Sequence, residues 1–341
     1  MDWTRGPAIG RGTTATVSIA ASESAGILAV KSTILPQSHI LQREQKILSS
    51  INSPHVVSYK GSSISTENNQ MYYNIFMDYV PGGTLVDVIR AHGGRLSESK
   101  IGVYTRHILL GLNYLHSMGI VHCDIKGSNI LMDPSGPKIA DLGCAKRVSP
   151  VGLDKEAVAI SGTPLYMAPE VVRGEEQGCP ADIWSLGCIF VEMATGRPPW
   201  IGGGDGKSVD DPLSVVYKIA YSEEPLPEYS ECCFSEEAID FLSKCLRRDP
   251  EERWTASQLL DHCFVNKFDP YDHDGDHRKE LISVTLKTNC SPTSILDQGM
   301  WYESSCSIRT SSADQRIREL SLGCGLLDDW GFGVNWVVIR G

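Results

Sequence analysis

His122-Cys123-Asp124-Ile125-Lys126-Gly127-Ser128-Asn129, then Asp141-Leu142-Gly143 and Ala168-Pro169-Glu170, decide how this chain is read. The residue types and their order suit phosphoryl transfer from ATP. Asp124 can accept the proton of an attacking hydroxyl, and Lys126 can meet the charge that develops on the moving phosphoryl group. Asn129 and Asp141 can hold the Mg2+ ions that bridge the phosphates. Each triplet alone reads equally well as a turn; the ordered set does not.

Upstream, Gly10-Arg11-Gly12-Thr13-Thr14-Ala15-Thr16-Val17 lies between two predicted strands. Glycines let backbone amides approach phosphate oxygens. A second strand follows at once, where a dinucleotide-binding loop would open a helix. Lys31 then ends the apolar run Ile27-Leu28-Ala29-Val30-Lys31. A lysine within such a strand is costly to leave unpaired. Its expected partner is Glu44, on a helix predicted over residues 41–49 from the spacing of Leu41, Glu44, Ile47 and Leu48. Residues 3 to about 80 thus read as short strands around one helix, with 72–80 another clear strand. From Leu85 the pattern turns helical. Ile101, Tyr104, Ile108, Leu112 and Leu115 recur every three or four residues, and 213–219, 238–246 and 256–260 continue the trend.

With these parts assembled, the chain resembles a eukaryotic serine/threonine protein kinase. The resemblance implies an α+β, bilobal protein-kinase fold: a small β-rich N-lobe (1–78) with one regulatory helix, a hinge (77–83) and a larger α-helical C-lobe (84–268). It implies ATP and Mg2+ as cofactors, with Asp124, Lys126, Lys31 and Glu44 catalytic and Asn129 and Asp141 holding the metal. Phe76-Met77-Asp78-Tyr79-Val80-Pro81-Gly82-Gly83 looks like the segment joining the lobes. Met77 would limit the pocket behind adenine, and the backbone of Asp78 and Val80 would bond its edge. Val17 and Ala29 would cover the base from above and Leu131 from below, with Ile9, Gly10 and Gly12 completing the ATP contacts.

Three positions depart from the family pattern: Ala15 replaces a third glycine, Leu142 a phenylalanine, and Cys123 an arginine. That arginine normally pairs with a phosphorylated activation-segment residue, which a thiol cannot do. Leu142 is expected to stack between His122 and Leu48. Thr163 would bond Asp124 and Lys126, Glu170 would pair with Arg253, and Asp182 would brace the catalytic loop. In the segment holding Ser149, Ser161 and Thr163, Ser161 is either a phosphosite near Lys146 and Arg147 or an ordinary exposed serine. Cys123 and Cys144 are either redox-sensitive or buried, inert thiols.

Lys126-Gly127-Ser128-Asn129 together with Gly162-Thr163-Pro164-Leu165-Tyr166-Met167-Ala168 resembles serine/threonine rather than tyrosine kinases. Trp3–Gly10, Asp78–Leu85, Asp141–Lys146 and Ala181–Cys188 look like plant mitogen-activated protein kinase kinase kinases. The similar group is their small, short-tailed members, implicated in stress and abscisic acid signalling. This resemblance covers residues 1 to about 268. It implies a mitogen-activated protein kinase kinase as substrate, phosphorylated on activation-segment Ser or Thr, with an upstream kinase or phosphatase as regulator. A kinase of a neighbouring group with other substrates, and a catalytically dead scaffold, are the alternatives; the presence of Lys31, Glu44, Asp124, Asn129 and Asp141 weighs against the scaffold.

The bulk properties agree with two lobes and a tail. The 341 residues exceed what one hydrophobic core usually organises. Apolar residues make up 41% and charged residues 21%, as in a soluble globular protein. No apolar stretch approaches the ~20 residues that cross a bilayer, so no membrane insertion is expected. The start, Met1-Asp2-Trp3-Thr4-Arg5, has neither a signal pattern nor a glycine for myristoylation. A cytoplasmic location, a nuclear one, or both is therefore expected. A net charge of −11 argues against nucleic acid as a partner. Asp205, Asp210, Asp211, Glu223 and Glu224 either attract a basic partner or only solvate loops. Eleven cysteines without zinc-module spacing read as reduced thiols.

Near Phe268 the composition shifts, and 269–341 reads as a largely disordered regulatory or docking tail rich in Ser, Thr and Cys. Its acidic stretch 272–277 lacks full calcium-loop spacing. Residues 312–320 are a candidate short helix. Trp330 and Trp336 lie in an apolar end, 330–339, that would either tuck against the helical lobe or recruit a partner.

Overall fold

Strands form where β-branched and aromatic residues alternate in the first part of the chain. The computed structural model describes residues 2–12, 14–148, 161–200, 212–222, 234–268 and 337–339. Its first lobe contains β1 (Trp3–Arg11), β2 (Thr16–Ser22), β3 (Gly26–Ile34), β4 (Tyr59–Glu67) and β5 (Gln70–Asp78), with α1 (His39–Leu48) between β3 and β4. The strands are antiparallel in the order β1-β2-β3-β5-β4. One face of this sheet buries Trp3, Ala20, Leu28, Val30 and Phe76, with the Trp3 and Phe76 rings edge-to-face at 5.1 Å. The other face meets α1, through Leu41, Ile47 and Leu48, and joins the main core.

The second lobe is helical, as the apolar periodicity predicts. It comprises α2 (Leu85–Ala91), α3 (Glu98–Ser117), α4 (Pro169–Arg173), α5 (Cys179–Thr195), α6 (Pro212–Tyr221), α7 (Glu236–Cys245), α8 (Ala256–Leu260) and α9 (Cys263–Asn266). Short two-stranded sheets carry the catalytic segments: β6 (Ile120–Val121) pairs with β9 (Lys146–Arg147), and β7 (Ile130–Asp133) with β8 (Gly136–Ile139). Helix α5 is buried on every side from Ala181 to Met193, the signature of a central helix. Helix α3 packs against it and against α8, α9 and β8. Capping follows sequence. Thr84 and Asp87 form a reciprocal box at the start of α2, as do Thr255 and Gln258 at α8.

Strand β5 stops at Asp78, short of the predicted end at Val80, because the chain leaves the sheet ahead of Pro81, which has no N–H to donate. Most of the predicted tail, including 272–277, 312–320, Trp330 and Trp336, lies outside the described residues, as do Ser149, Asp205, Asp210, Asp211, Glu223 and Glu224. Within the tail, β10 (Val337–Ile339) pairs antiparallel with β1, Trp3 opposite Ile339. These three residues complete the free edge of the N-lobe sheet, where unpaired backbone groups accept a strand, while Trp330 and Trp336, on which the docking alternatives rested, lie outside the described residues. No helix among the described residues is long and apolar enough to cross a membrane.

Candidate active site

Strand register gathers the N-lobe part of the site. Val17 lies opposite Lys31, and Ala29 opposite Met77, so alternation puts all four on one face. Gly10 pairs with Val17, Ile9 precedes it on β1, and the Gly12 amide donates to the Ala15 carbonyl at 2.9 Å in the connecting turn. Lys31 Nζ reaches both Glu44 oxygens, at 2.9 and 2.7 Å, and Asp141 Oδ1 at 2.9 Å. Burial opposes the Lys31 charge, but the carboxylates of Asp141 and Glu44 outweigh it and raise its pKa above the usual value.

The hinge is shaped by close approach. A Cβ on Gly82 would lie 2.1 Å from the Met132 carbonyl oxygen, so only glycine fits there. Gly83 accepts the Met132 amide at 2.9 Å, and Thr84 bridges Leu131, which brings β7 beneath the hinge. The Asp78 amide is used by Ser58 at 3.1 Å and its carboxylate by Lys60 at 2.8 Å. Val80, by contrast, makes no backbone hydrogen bond among the described residues. Its amide and carbonyl are therefore open to the edge of a purine.

Asp182 sets the catalytic loop. Its Oδ2 accepts the His122 amide at 2.9 Å and its Oδ1 the Cys123 amide at 3.0 Å, while His116 Nε2 lies 2.9 Å from Oδ2. Burial would raise the Asp182 pKa, yet these bonds, led by that from His116, hold it below the usual carboxylate range. Beyond the brace, Thr163 Oγ1 donates to Asp124 Oδ1 at 2.8 Å, and Lys126 Nζ donates to Thr163 Oγ1 at 2.8 Å and pairs with Asp124 Oδ2 at 2.9 Å. Asn129 Nδ2 donates to the Asp124 carbonyl at 2.8 Å.

Asp141 is joined to this cluster through backbone: the Ala140 amide donates to the Asn129 carbonyl at 2.8 Å, and His122 Nε2 lies 3.0 Å from the Ala140 carbonyl. Asp141 has φ +62, a sparsely populated conformation for a non-glycine residue. The Lys31 ammonium holds its carboxyl well below the usual range. Leu142 is buried in the same core cluster as Leu48, and the fully buried His122 bonds the carbonyl of Ala140, two residues before Leu142.

The donor set suits a hard divalent cation. Asn129 uses its amide nitrogen within the loop and keeps its oxygen; Asp141 uses Oδ1 and keeps Oδ2 on a half-exposed side chain. Among the described residues no group of three His, Cys, Asp or Glu side chains could hold a metal alone. A cation here would share these two ligands with phosphate oxygens, the usual habit of Mg2+.

Glu170 and Arg253 form a fully buried bidentate pair, both bonds 2.6 Å. Burial pushes the Cys123 thiol far up and the Cys144 thiol up to about 11, which favours the protonated form of both. Two polar contacts near the loop have no signal in the sequence. The Tyr166 hydroxyl donates to Glu192 Oε2 at 2.9 Å, and Gln177 bonds the backbone of two loops. Neither lies in a motif with a spacing to read.

A bilobal fold with an ammonium and two carboxylates converging below a glycine turn defines a nucleotide-dependent phosphotransferase. The protein kinase domain family matches residues 3–265, and the chain belongs to it. It is a serine/threonine protein kinase, and as such uses ATP and a divalent metal. It is similar to mitogen-activated protein kinase kinase kinase 17 of Arabidopsis thaliana, 49% identical over 304 residues that span 88% of this chain and 77% of that protein. Kinase kinase kinase 18 of the same plant is 47% identical across 100% of this chain and 99% of its own length, and number 20 is 37% identical across 100% of both.

Proposed function

We propose that this protein phosphorylates activation-segment serine or threonine hydroxyls of a mitogen-activated protein kinase kinase, with Mg2+ as the divalent ion. The convergence of Asp124, Lys126 and Thr163 beside the Lys31–Asp141 pair carries the reading. Asp124 takes the proton of the incoming hydroxyl, its carboxylate oriented by Thr163 and Lys126. Lys126 also faces the charge that develops on the transferred group. Lys31, aimed by Glu44, binds the nucleotide phosphates under the turn of Ile9, Gly10 and Gly12. Val17, Ala29 and Leu131 enclose the base, Met77 closes the back of its pocket, and backbone at Asp78 and Val80 bonds its edge. Asn129 and Asp141 hold Mg2+, which neutralises phosphate charge when bound.

The names of the relatives support the substrate class. The motif resemblance supports stress or abscisic acid signalling as the setting, under an upstream kinase or phosphatase; a location in cytoplasm, nucleus or both belongs to the same proposal. The test is transfer of labelled phosphate from ATP by the full chain to a panel of inactive mitogen-activated protein kinase kinases. Asp124→Asn should lower kcat about 10²- to 10⁴-fold while leaving the unfolding midpoint in place. Full turnover by that variant, or no labelling of any panel member by the unaltered protein, overturns the reading.

A further inference from the structure

Gln177 sits in the loop between α4 and α5, buried, with no charged partner. Its Nε2 donates to the Cys123 carbonyl at 3.2 Å and to the Ser161 carbonyl at 3.1 Å. A carboxamide has two N–H donors, and both are used. The first acceptor belongs to the peptide that leads into Asp124. The second lies just ahead of Thr163, whose hydroxyl bonds the Asp124 carboxylate. One side chain therefore fixes the backbone entering Asp124 and the segment that brings Thr163 to it.

Three neighbouring features fit that role. Cys123 has φ +67, a conformation that a non-glycine residue keeps only where its surroundings over-determine it. Asp182 holds the Cys123 amide and Gln177 holds its carbonyl, so the residue is gripped at both ends. Gly162, directly after Ser161, has φ +124, and a Cβ there would lie 2.6 Å from the Cys123 carbonyl oxygen. The segments thus touch backbone to backbone. A void of about 10 Å³ lies beside Cys123, Gln177, Asp182 and Ser185, room for at most one water.

We propose that Gln177 is a positioning residue that latches the activation segment onto the catalytic loop through neutral hydrogen bonds, with no phosphate required. The inference rests on the phosphotransfer reading above. A thiol at position 123 cannot grip a phosphate, and a carboxamide bonded to two carbonyls is present whatever the modification state of the segment.

Gln177→Met keeps length and volume without donors; Gln177→Glu keeps shape and offers only acceptors to two carbonyl oxygens. In the full chain, each should lower kcat about 10- to 100-fold, the worth of two neutral hydrogen bonds in the transition state. KM for ATP should stay within about twofold and the unfolding midpoint close to that of the unaltered protein. Phosphatase treatment of the unaltered protein should leave kcat in place. Unchanged kcat in Gln177→Met, failure of both variants to fold, a rise in KM for ATP matching the fall in kcat, or loss of kcat on phosphatase treatment overturns the proposal. Asp124→Asn run alongside separates the two levels. If it is dead while Gln177→Met is fully active, only the latch fails; if it is active, the phosphotransfer reading fails first.

Discussion

Glu192 on α5 is 5% exposed, and among the described residues its carboxylate accepts a hydrogen bond from the Tyr166 hydroxyl at 2.9 Å. Burial pushes its pKa from 4.5 up to about 7, against the pull of that hydrogen bond and of Arg90. Between those values the folded protein holds a proton that the unfolded chain has lost. The contribution to stability is complete below the unfolded value, falls as pH rises through the window, and is gone above about 7. Glu192→Gln mimics the protonated form at every pH. It should match the unaltered protein near pH 4 and exceed it at about pH 8 by up to ~3 kcal/mol. Urea unfolding at the two pH values checks this, and a stability difference that does not grow with pH refutes it. Nothing local marks Glu192 as unusual: it is one of two acidic residues on an apolar helix, and its partner Tyr166 comes from the activation segment, distant in sequence.

At the scale of elements, α4 and the late helices are tied by Arg253. Its guanidinium bonds Glu170 twice and also donates to the carbonyls of Arg247 at 2.6 Å and Pro180 at 3.0 Å. Glu170→Gln leaves this cation fully buried without a countercharge and should cost about 3–5 kcal/mol. Chemical unfolding measures it; a loss under about 1 kcal/mol would mean that the peptide carbonyls alone satisfy the guanidinium. The Lys31–Glu44 pair was legible in the sequence from a lysine in an apolar strand facing a helical glutamate, whereas the Glu170–Arg253 pair, the Thr163 bonds and the Asp182 brace were expected only through the family resemblance that the motifs carry. Helix faces such as Ile101 to Leu115 were legible through periodicity. The Gln177 bridge, the Tyr166–Glu192 contact and the β10 pairing were not. They join segments distant in sequence, and none imposes a local pattern on either partner. The end of β5 was misread for a related reason: the apolar run continues to Val80, but the chain turns toward the second lobe before the hydrophobicity ends.

Across the whole molecule, one ammonium connects the lobes. Lys31 on β3 bonds Glu44 on α1 and Asp141 in the second lobe. The stretch after α1 is docked on the second lobe as well: the Asn52 amide donates to the Tyr114 hydroxyl at 2.8 Å, and the Val57 amide donates to the Ile139 carbonyl at 2.9 Å. Helix α1 is therefore held at its far end by the C-lobe and at Glu44 by Lys31. The two carboxylates differ in what losing Lys31 would do to them. Asp141 is 49% exposed and water can solvate it, whereas Glu44 is 2% exposed and burial already raises its pKa. Lys31→Met should thus abolish phosphotransfer and also lower stability at pH 8 by about 3–5 kcal/mol, by stranding the Glu44 charge. Adding Glu44→Gln should recover most of that stability and none of the activity. The deficit of the single variant should shrink as pH falls, because Glu44, with a folded pKa above the unfolded value, then takes up a proton that removes the stranded charge. Denaturant unfolding of the single and double variants at pH 8 and pH 5 measures all three. Equal stability of Lys31→Met and the unaltered protein at pH 8 would show that the lobes are held by the hinge and the 50–57 linker, without this ion pair.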